Sequence, residues 1–451
     1  MVVVSQASSL PLPNPSLPSS PPHITSLLFE PNSLSLALMH SDSSISLYPS
    51  LSIPSLSSFP STPQFLIPSP SSSSTFLLLN PNPNPRVVFV VGGPHRSGAQ
   101  VLLRFYVLQR NNLYGKAQVL CSQKGVCFDH KLGVLLDVKH GVSVKLVGSV
   151  NFFAMYSFSS SKIWVFGVKL MDDDGGLRLK LTRCAVIECC KPIWSISLSS
   201  GFMILGEENG VRAFNLRNLV KEKTKRVKNF KVSGSSNGIV GDGAFAGSNQ
   251  EVACNGYVVG RIDKHSVSGN FVDSSLKQRS VKCRQDSSEA YFVAFRSKKA
   301  EGLSSTTSAF MSLKAISIQA VSAKKFLILD STGDLHILHL SNSVAGSNII
   351  GHMRQLPHFM NVLKLAVLPD ISLRTQTIWI TDGQHSVHVM AASDADITVG
   401  KNGINEIEEK LMQMSVIEAI FVGEKIQDIV PLAANGVLIL GQGNLYAYAN
   451  S

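Results

Sequence analysis

Few residues in this chain are spaced for chemistry. Cys184, Cys189 and Cys190 form C-x4-C-C. A zinc site wants closely spaced ligand pairs and a second pair elsewhere, and no second cluster follows. Their segment, "LTRCAVIECC", alternates like a strand, so the three are expected to be structural cysteines. "GDGAFAGS" (241 to 248) is rich in glycine but does not match the dinucleotide loop, whose third Gly is here displaced to Gly247. It is expected to be a flexible loop. "MDDDGG", from Met171 to Gly176, lacks the spacing of a calcium loop and reads as a hairpin turn. His336 and His339, like His385 and His388, are three residues apart, which puts the rings of each pair on opposite faces of a strand. They are expected to pack between sheets or to face solvent. No Ser/His/Asp order, nucleophile elbow or phosphate loop is visible. No catalytic residue is assigned, and no cofactor or metal is expected.

The best functional lead is a run of cations. "KEKTKRVKNFK" places Lys221, Lys223, Lys225, Arg226, Lys228 and Lys231 within eleven residues. Lys225-Arg226-Val227-Lys228 fits a short nuclear-localisation pattern. Such a run also attracts phosphate backbones by releasing their counterions, so RNA or an acidic protein is a conceivable partner. Only Phe230 is interleaved, which gives stacking on single-stranded bases poor support. A solvated loop between two structural units is the plainest alternative.

The elements that would carry these residues are strands in a repeat. "KFLILD", "STGD", "LHILHL" (325 to 340) reads as strand, turn, strand, with Gly333 and Asp334 suited to a tight hairpin. Similar units occur at 35 to 48, 152 to 166, 202 to 214, 377 to 390 and 437 to 448, with a looser copy at 87 to 105. Aligned on their turns, six second strands read ISLY, IWVF, VRAF, LHIL, VHVM and LYAY. Positions one and three are apolar on one face. The fourth is bulky on the other: Tyr48, Phe166, Phe214, Leu338, Met390, Tyr448. A strand that is apolar on both sides needs both sides covered, and stacked sheets do that.

Seven turns, mostly 50 to 62 residues apart, resemble the blades of a WD40-like β-propeller with long loops. "ITSLLFEP" (24 to 31) and "VLKLAVLP" (362 to 369) resemble that family's innermost strand, and Gly351-His352 resembles its Gly-His pair. The bulky fourth residue stands where the family has Trp. The Asp that should follow is absent, and Trp164, Trp194 and Trp379 lie outside the slot. The resemblance spans roughly residues 20 to 449 and implies an all-β, seven-bladed propeller. An eighth blade could lie in the gap between the turns near 210 and 333. A plant source is expected. The last unit is one strand short of four, so a segment of the first 20 residues, most simply Val2 to Val4, is expected to close the ring. Residues 1–22 read as a low-complexity N-terminus, 23–451 as the propeller, and 222–286 as a basic, Ser/Gly-rich flexible insertion within it. Residues 51–72 read as a second low-complexity loop.

Composition narrows the class. The 451 residues are 44% hydrophobic and 16% charged, enough to bury a large core. Seven cysteines, an odd number without regular spacing, argue for a reducing compartment. No stretch approaches the roughly 18 apolar residues of a membrane helix, and no membrane partner is expected. The N-terminus lacks the cations of a secretory signal; it resembles a plastid transit peptide, but without the usual Arg. The net charge is +11, and residues 221–300 hold 15 Lys and Arg against 7 Asp and Glu, a surplus of eight. The basic character belongs to one segment. Function does not follow from fold. The expectation is a non-enzymatic scaffold for other proteins in a multi-subunit complex, in a nuclear or nucleolar ribonucleoprotein assembly. The alternative is a cytosolic adaptor such as a substrate receptor for ubiquitin ligation.

Overall fold

Strands that are apolar on both faces persist only between two neighbours, and the computed structural model meets that demand at every blade. It describes residues 2–10, 22–51, 60, 62–79, 85–121, 126–129, 133–138, 142–171, 177–220, 280–295, 312–342, 349–358, 360–368, 375–394, 412–433 and 435–449. These belong to one compact unit, Met1–Glu222 with Arg279–Ser451; the other, Lys223–Gln278, lies outside them. Seven sheets form. Numbered along the chain, blades I to VII begin with the inner strands Ile24–Glu30, Ser73–Leu79, Val144–Gly148, Ser195–Ser199, Ala315–Ala320, Lys364–Val367 and Asp428–Ala433. Each inner strand lies beside the next and the seventh returns to the first, so the ring closes. Among the described residues there is no eighth sheet, and no helix is long and apolar enough to cross a membrane.

The hairpins expected from the sequence are the second and third strands of the seven blades. In blade V they are Lys325–Asp330 and Leu335–Asn342, joined by a turn in which Gly333 takes a φ of 89°. Period-2 alternation then sends side chains both ways. Phe326 and Ile328 enter the cluster shared with blade IV, Leu327 and Leu329 the cluster shared with blade VI. Seven such clusters fill the seven gaps between blades. Each fully buried Leu, Ile or Phe in them contributes roughly 1.5–3 kcal/mol relative to exposure. The bulky fourth residues all lean the same way round. Tyr48 packs toward blade VII, Phe166 toward II, Phe214 toward III, Leu338 toward IV and Met390 toward V. Phe166 stacks on Phe153 at 5.0 Å. Tyr448 leans toward blade VI, where its hydroxyl donates to Glu418.

The N-terminal segment closes the ring, through different residues from those expected. Ser8–Leu10 pairs with Leu445–Ala449 as the fourth strand of blade VII, and Leu10 is 1% exposed between blades VII and I. The valine run instead extends the neighbouring blade. Val3–Gln6 adds in parallel to Met412–Phe421, the fourth strand of blade VI. Closure needs one side chain in the gap, and Leu10 reaches it where Val2 to Val4 do not. Three further readings change. Phe65–Ile67, within the supposed loop 51–72, is the outer strand of blade I. Val281–Arg284, at the end of the range read as a flexible insertion, pairs in parallel with Arg178–Glu188 of blade III. Gly351 and His352 lie inside Ile349–Gln355, the outer strand of blade V, and not in the connection that leads to the inner strand Lys364–Val367.

Blades II and III are joined along their inner edges. Ser73 Oγ accepts from Leu146 N–H at 2.9 Å and Thr75 Oγ1 from Gly148 N–H at 2.8 Å. Beyond them Leu78 and Asn151 complete the seam, with Leu78 N–H donating to Ser149 at 3.2 Å and Asn151 N–H to Leu78 at 2.8 Å. A Cβ on Gly148 would overlap the Phe76 carbonyl oxygen, so only glycine admits so close an approach. Gly148→Ala is expected to cost about 3 kcal/mol in thermal or urea unfolding. Gly201→Ala, at a φ of +83° with open space around it, is expected to cost about 1–2 kcal/mol.

Candidate functional site

The inner strands face each other across a channel, a cavity of about 650 Å³ lined by blades I and III to VII. Its polar side chains come from Ser197, Ser199, Ser317, Gln319, Lys364 and Asp428; the rest of the wall is largely aliphatic. Four antiparallel strands return the chain to the end at which a blade began. Trp194, Lys314 and Leu363 each directly precede an inner strand, of blades IV, V and VI, so they gather at one mouth of the channel. Lys314 Nζ sits 4.1 Å over the Trp194 ring, an attraction of about 0.5–1 kcal/mol at an exposed site. Trp194 is 40% exposed, Leu363 53% and Ile316, inside the same mouth, 37%. Exposed apolar side chains rimmed by cations form a surface suited to docking another protein.

Polar bonds across the gaps hold this mouth in shape. Asp428 Oδ2 accepts from Leu27 N–H at 3.2 Å, while Lys364 Nζ stands 3.9 Å from Oδ1, so one carboxylate links blades VI, VII and I. Ser195 Oγ donates to the Ala315 carbonyl at 2.6 Å, tying blade IV to V. Between blades III and IV, Glu207 is wholly buried and receives Arg212 through two bonds, 2.5 and 3.1 Å. Gln285 Nε2 donates to Glu207 at 2.7 Å, and its Oε1 accepts from the N–H groups of Cys190 and Lys191, both at 2.9 Å. The chain returning from the basic segment is thereby fixed against blades III and IV.

The chemistry available is meagre. His40 Nε2 lies 2.8 Å from Ser46 Oγ, in the geometry of a base beside a nucleophile. Its Nδ1, however, is buried without a partner, and Asp42 accepts from Ser44 N–H instead. Burial also pushes the His40 pKa down. His336 donates through Nε2 to Asp330 at 2.8 Å, both wholly buried, with the Phe295 ring 4.4 Å from the imidazole. Burial opposes ionisation of Asp330, but His336 and the Thr332 and Asp334 N–H groups outweigh it and hold its pKa low. His339 pairs across the strands with His352; His385 is exposed and His388 half-buried. Cys184, Cys189 and Cys190 form no disulfide, and burial, with Cys190, Glu207 and Cys283 nearby, pushes Cys189 up to about 12. No group of three or more His, Cys, Asp or Glu among the described residues could hold a metal. Lys221, Lys223, Lys225, Arg226, Lys228 and Lys231 lie outside the described residues, as do "GDGAFAGS" and Asp172 to Gly176. The mouth residues gave no sequence signal beyond Trp194 falling outside the repeat's bulky slot.

No protein-family model matches the chain, and no curated protein matches it. Solved structures do. Sqt1 of Saccharomyces cerevisiae aligns over 99% of both chains at 11% identity, with a TM-score of 0.41. The Cps50 (Swd1) β-propeller domain of Myceliophteria thermophila covers 95% of this chain and 97% of its own, at 9% identity and a TM-score of 0.41. The RRP9 WD40 repeats cover 96% of this chain and 95% of theirs, at 8% identity and a TM-score of 0.39. These neighbours are WD40 β-propellers, and the class of this chain, a seven-bladed β-propeller, stands on its own sheets. Likenesses this distant carry no argument about partners, and they lend the expected plant source no support.

Two outcomes follow from the buried charges. Glu207→Gln leaves Arg212 uncompensated and is expected to cost about 3–5 kcal/mol in urea unfolding. Glu188→Gln, which breaks only the exposed Lys162 pair at 3.3 Å, is expected to change stability by under about 1 kcal/mol. Burial raises the Asp428 pKa against the pull of Lys364 and of the Leu27 and Ile429 N–H groups. The folded state therefore keeps this proton to higher pH than the unfolded chain does. Its contribution declines as pH rises from the ordinary carboxylate value through the raised one. Asp428→Asn retains an acceptor for Leu27, and its stability relative to the parent is expected to improve with pH across that window. A difference that stays flat with pH would contradict the assignment.

Proposed function

We propose that this protein is a non-enzymatic scaffold that docks other proteins at the Trp194 mouth of its propeller and works in a nuclear or nucleolar assembly. The observation that carries the reading is the mouth itself: Trp194, Ile316 and Leu363 exposed beside Lys314, at the start of inner strands cross-linked by Asp428 and Ser195. A rigid face loses little conformational freedom on binding, which favours affinity. The nuclear part rests on the run from Lys221 to Lys231, which fits a localisation signal and suits an acidic protein or an RNA backbone.

Two experiments test the two parts. Partners recovered with the tagged full chain are expected to be lost with Trp194→Ala combined with Leu363→Ser; an unchanged partner set removes the mouth from the reading. The chain is expected to accumulate in the nucleus, and Lys225→Ala with Arg226→Ala to leave it cytoplasmic. Cytoplasmic residence of the parent would instead favour a cytosolic adaptor.

A further inference from the structure

Among the described residues, no strand pairs with the outer edge of blade VI. Val3–Gln6 is the last strand of that five-stranded sheet. Ala7 N–H donates to the Phe421 carbonyl at 3.0 Å, and successive residues of a parallel ladder turn their main-chain groups to opposite sides. Val3, Ser5 and Ala7 therefore address Met412–Phe421. Val2, Val4 and Gln6 present their N–H and C=O groups outward. The register sets Val4 opposite Ala419 and Gln6 opposite Phe421, which brings Val2, Val4 and Phe421 onto one face of the sheet. They are 47%, 70% and 47% exposed.

Proteins that remain monomeric blunt such edges with Lys, Pro, bulges or a covering segment. Residues 2–6 contain no charge and no proline. The outer strand of blade III shows the alternative, covered by Gln118–Leu120 and Val281–Arg284 of the same chain. An antiparallel edge contact is self-complementary about a two-fold axis, so a second copy always supplies a matching strand. With Val4 on the axis, the two Val4 residues exchange both main-chain bonds, and each Val2 stands opposite a Gln6. No like charges meet. The new pairing continues the interface that Val3–Gln6 already makes with Met412–Phe421.

We propose that two copies of this chain dimerise by antiparallel pairing of their residues 2–6, joining two blade VI sheets into one. The contact leaves the Trp194 mouth out of the interface, so the proposal is independent of the docking reading.

Sedimentation of the full chain, tagged at its C-terminus, is expected to show the mass rising with concentration from 48.7 kDa to twice that. Val4→Pro removes only an outward N–H and is expected to stay at the single mass with an unchanged melting temperature. Val4→Lys keeps the N–H, adds charge at the axis, and is also expected to remain monomeric, which covers the case in which the proline variant misfolds. In a Cys190→Ser background, Val4→Cys is expected to give a disulfide-linked dimer on mild oxidation, because hydrogen-bonded antiparallel partners hold Cα atoms about 5.5 Å apart, within reach of a disulfide. A parent that is monomeric at every concentration overturns the proposal. So does a dimer that persists in Val4→Lys, or an edge that binds only a different protein.

Discussion

The constraint beneath everything else is that no blade of this protein has an outside. Each sheet is apolar on both faces, and each face is buried only because a neighbour stands against it. A linear stack would leave two faces bare, whereas a ring leaves none. Phe326 and Leu327, adjacent in sequence, serve two different gaps, and that alternation repeats around the circle. Closing it depends on Leu10, brought from the other end of the chain into the gap between blades VII and I.

Apolar packing alone does not hold the inner strands, whose channel-side main-chain groups lack a fifth strand. Side chains from adjacent blades satisfy several of them: Ser73 and Thr75 on blade III, Asp428 on blade I, Ser195 on blade V. These bonds fix the spacing of the inner strands, and so the geometry of the mouth where Trp194, Ile316 and Leu363 meet solvent. The same logic operates at the rim. Glu207, Arg212 and Gln285 satisfy one another in the gap between blades III and IV, so the ring continues on the far side of a long departure of the chain.

The hairpins were legible because period-2 alternation and a turn rich in Ser, Asp, Asn or Gly are local signals; the seven found in the sequence are the second and third strands of seven blades. The inner strands of blades II and III, Ser73–Leu79 and Val144–Gly148, were not, since their Ser, Thr and Gly make sense only against each other. The closing strand was misplaced because Val2 to Val4 is the most strand-like run near the N-terminus, while Ser8–Leu10 offers one buried leucine. Gln285 was illegible for a plainer reason: its partner Glu207 is 78 residues away. His336 showed only its spacing from His339, and nothing local announced that Asp330 would receive it.

The central claim, that the N-terminal segment closes a ring of mutually buried blades, is tested most directly by hydrogen exchange on Leu10→Asp. The account predicts lost amide protection on both sides of the seam, in Gly436–Leu440 of blade VII and Ser35–His40 of blade I, while Phe202–Glu207 across the ring keeps more of its own. Protection unchanged in both seam strands would contradict it.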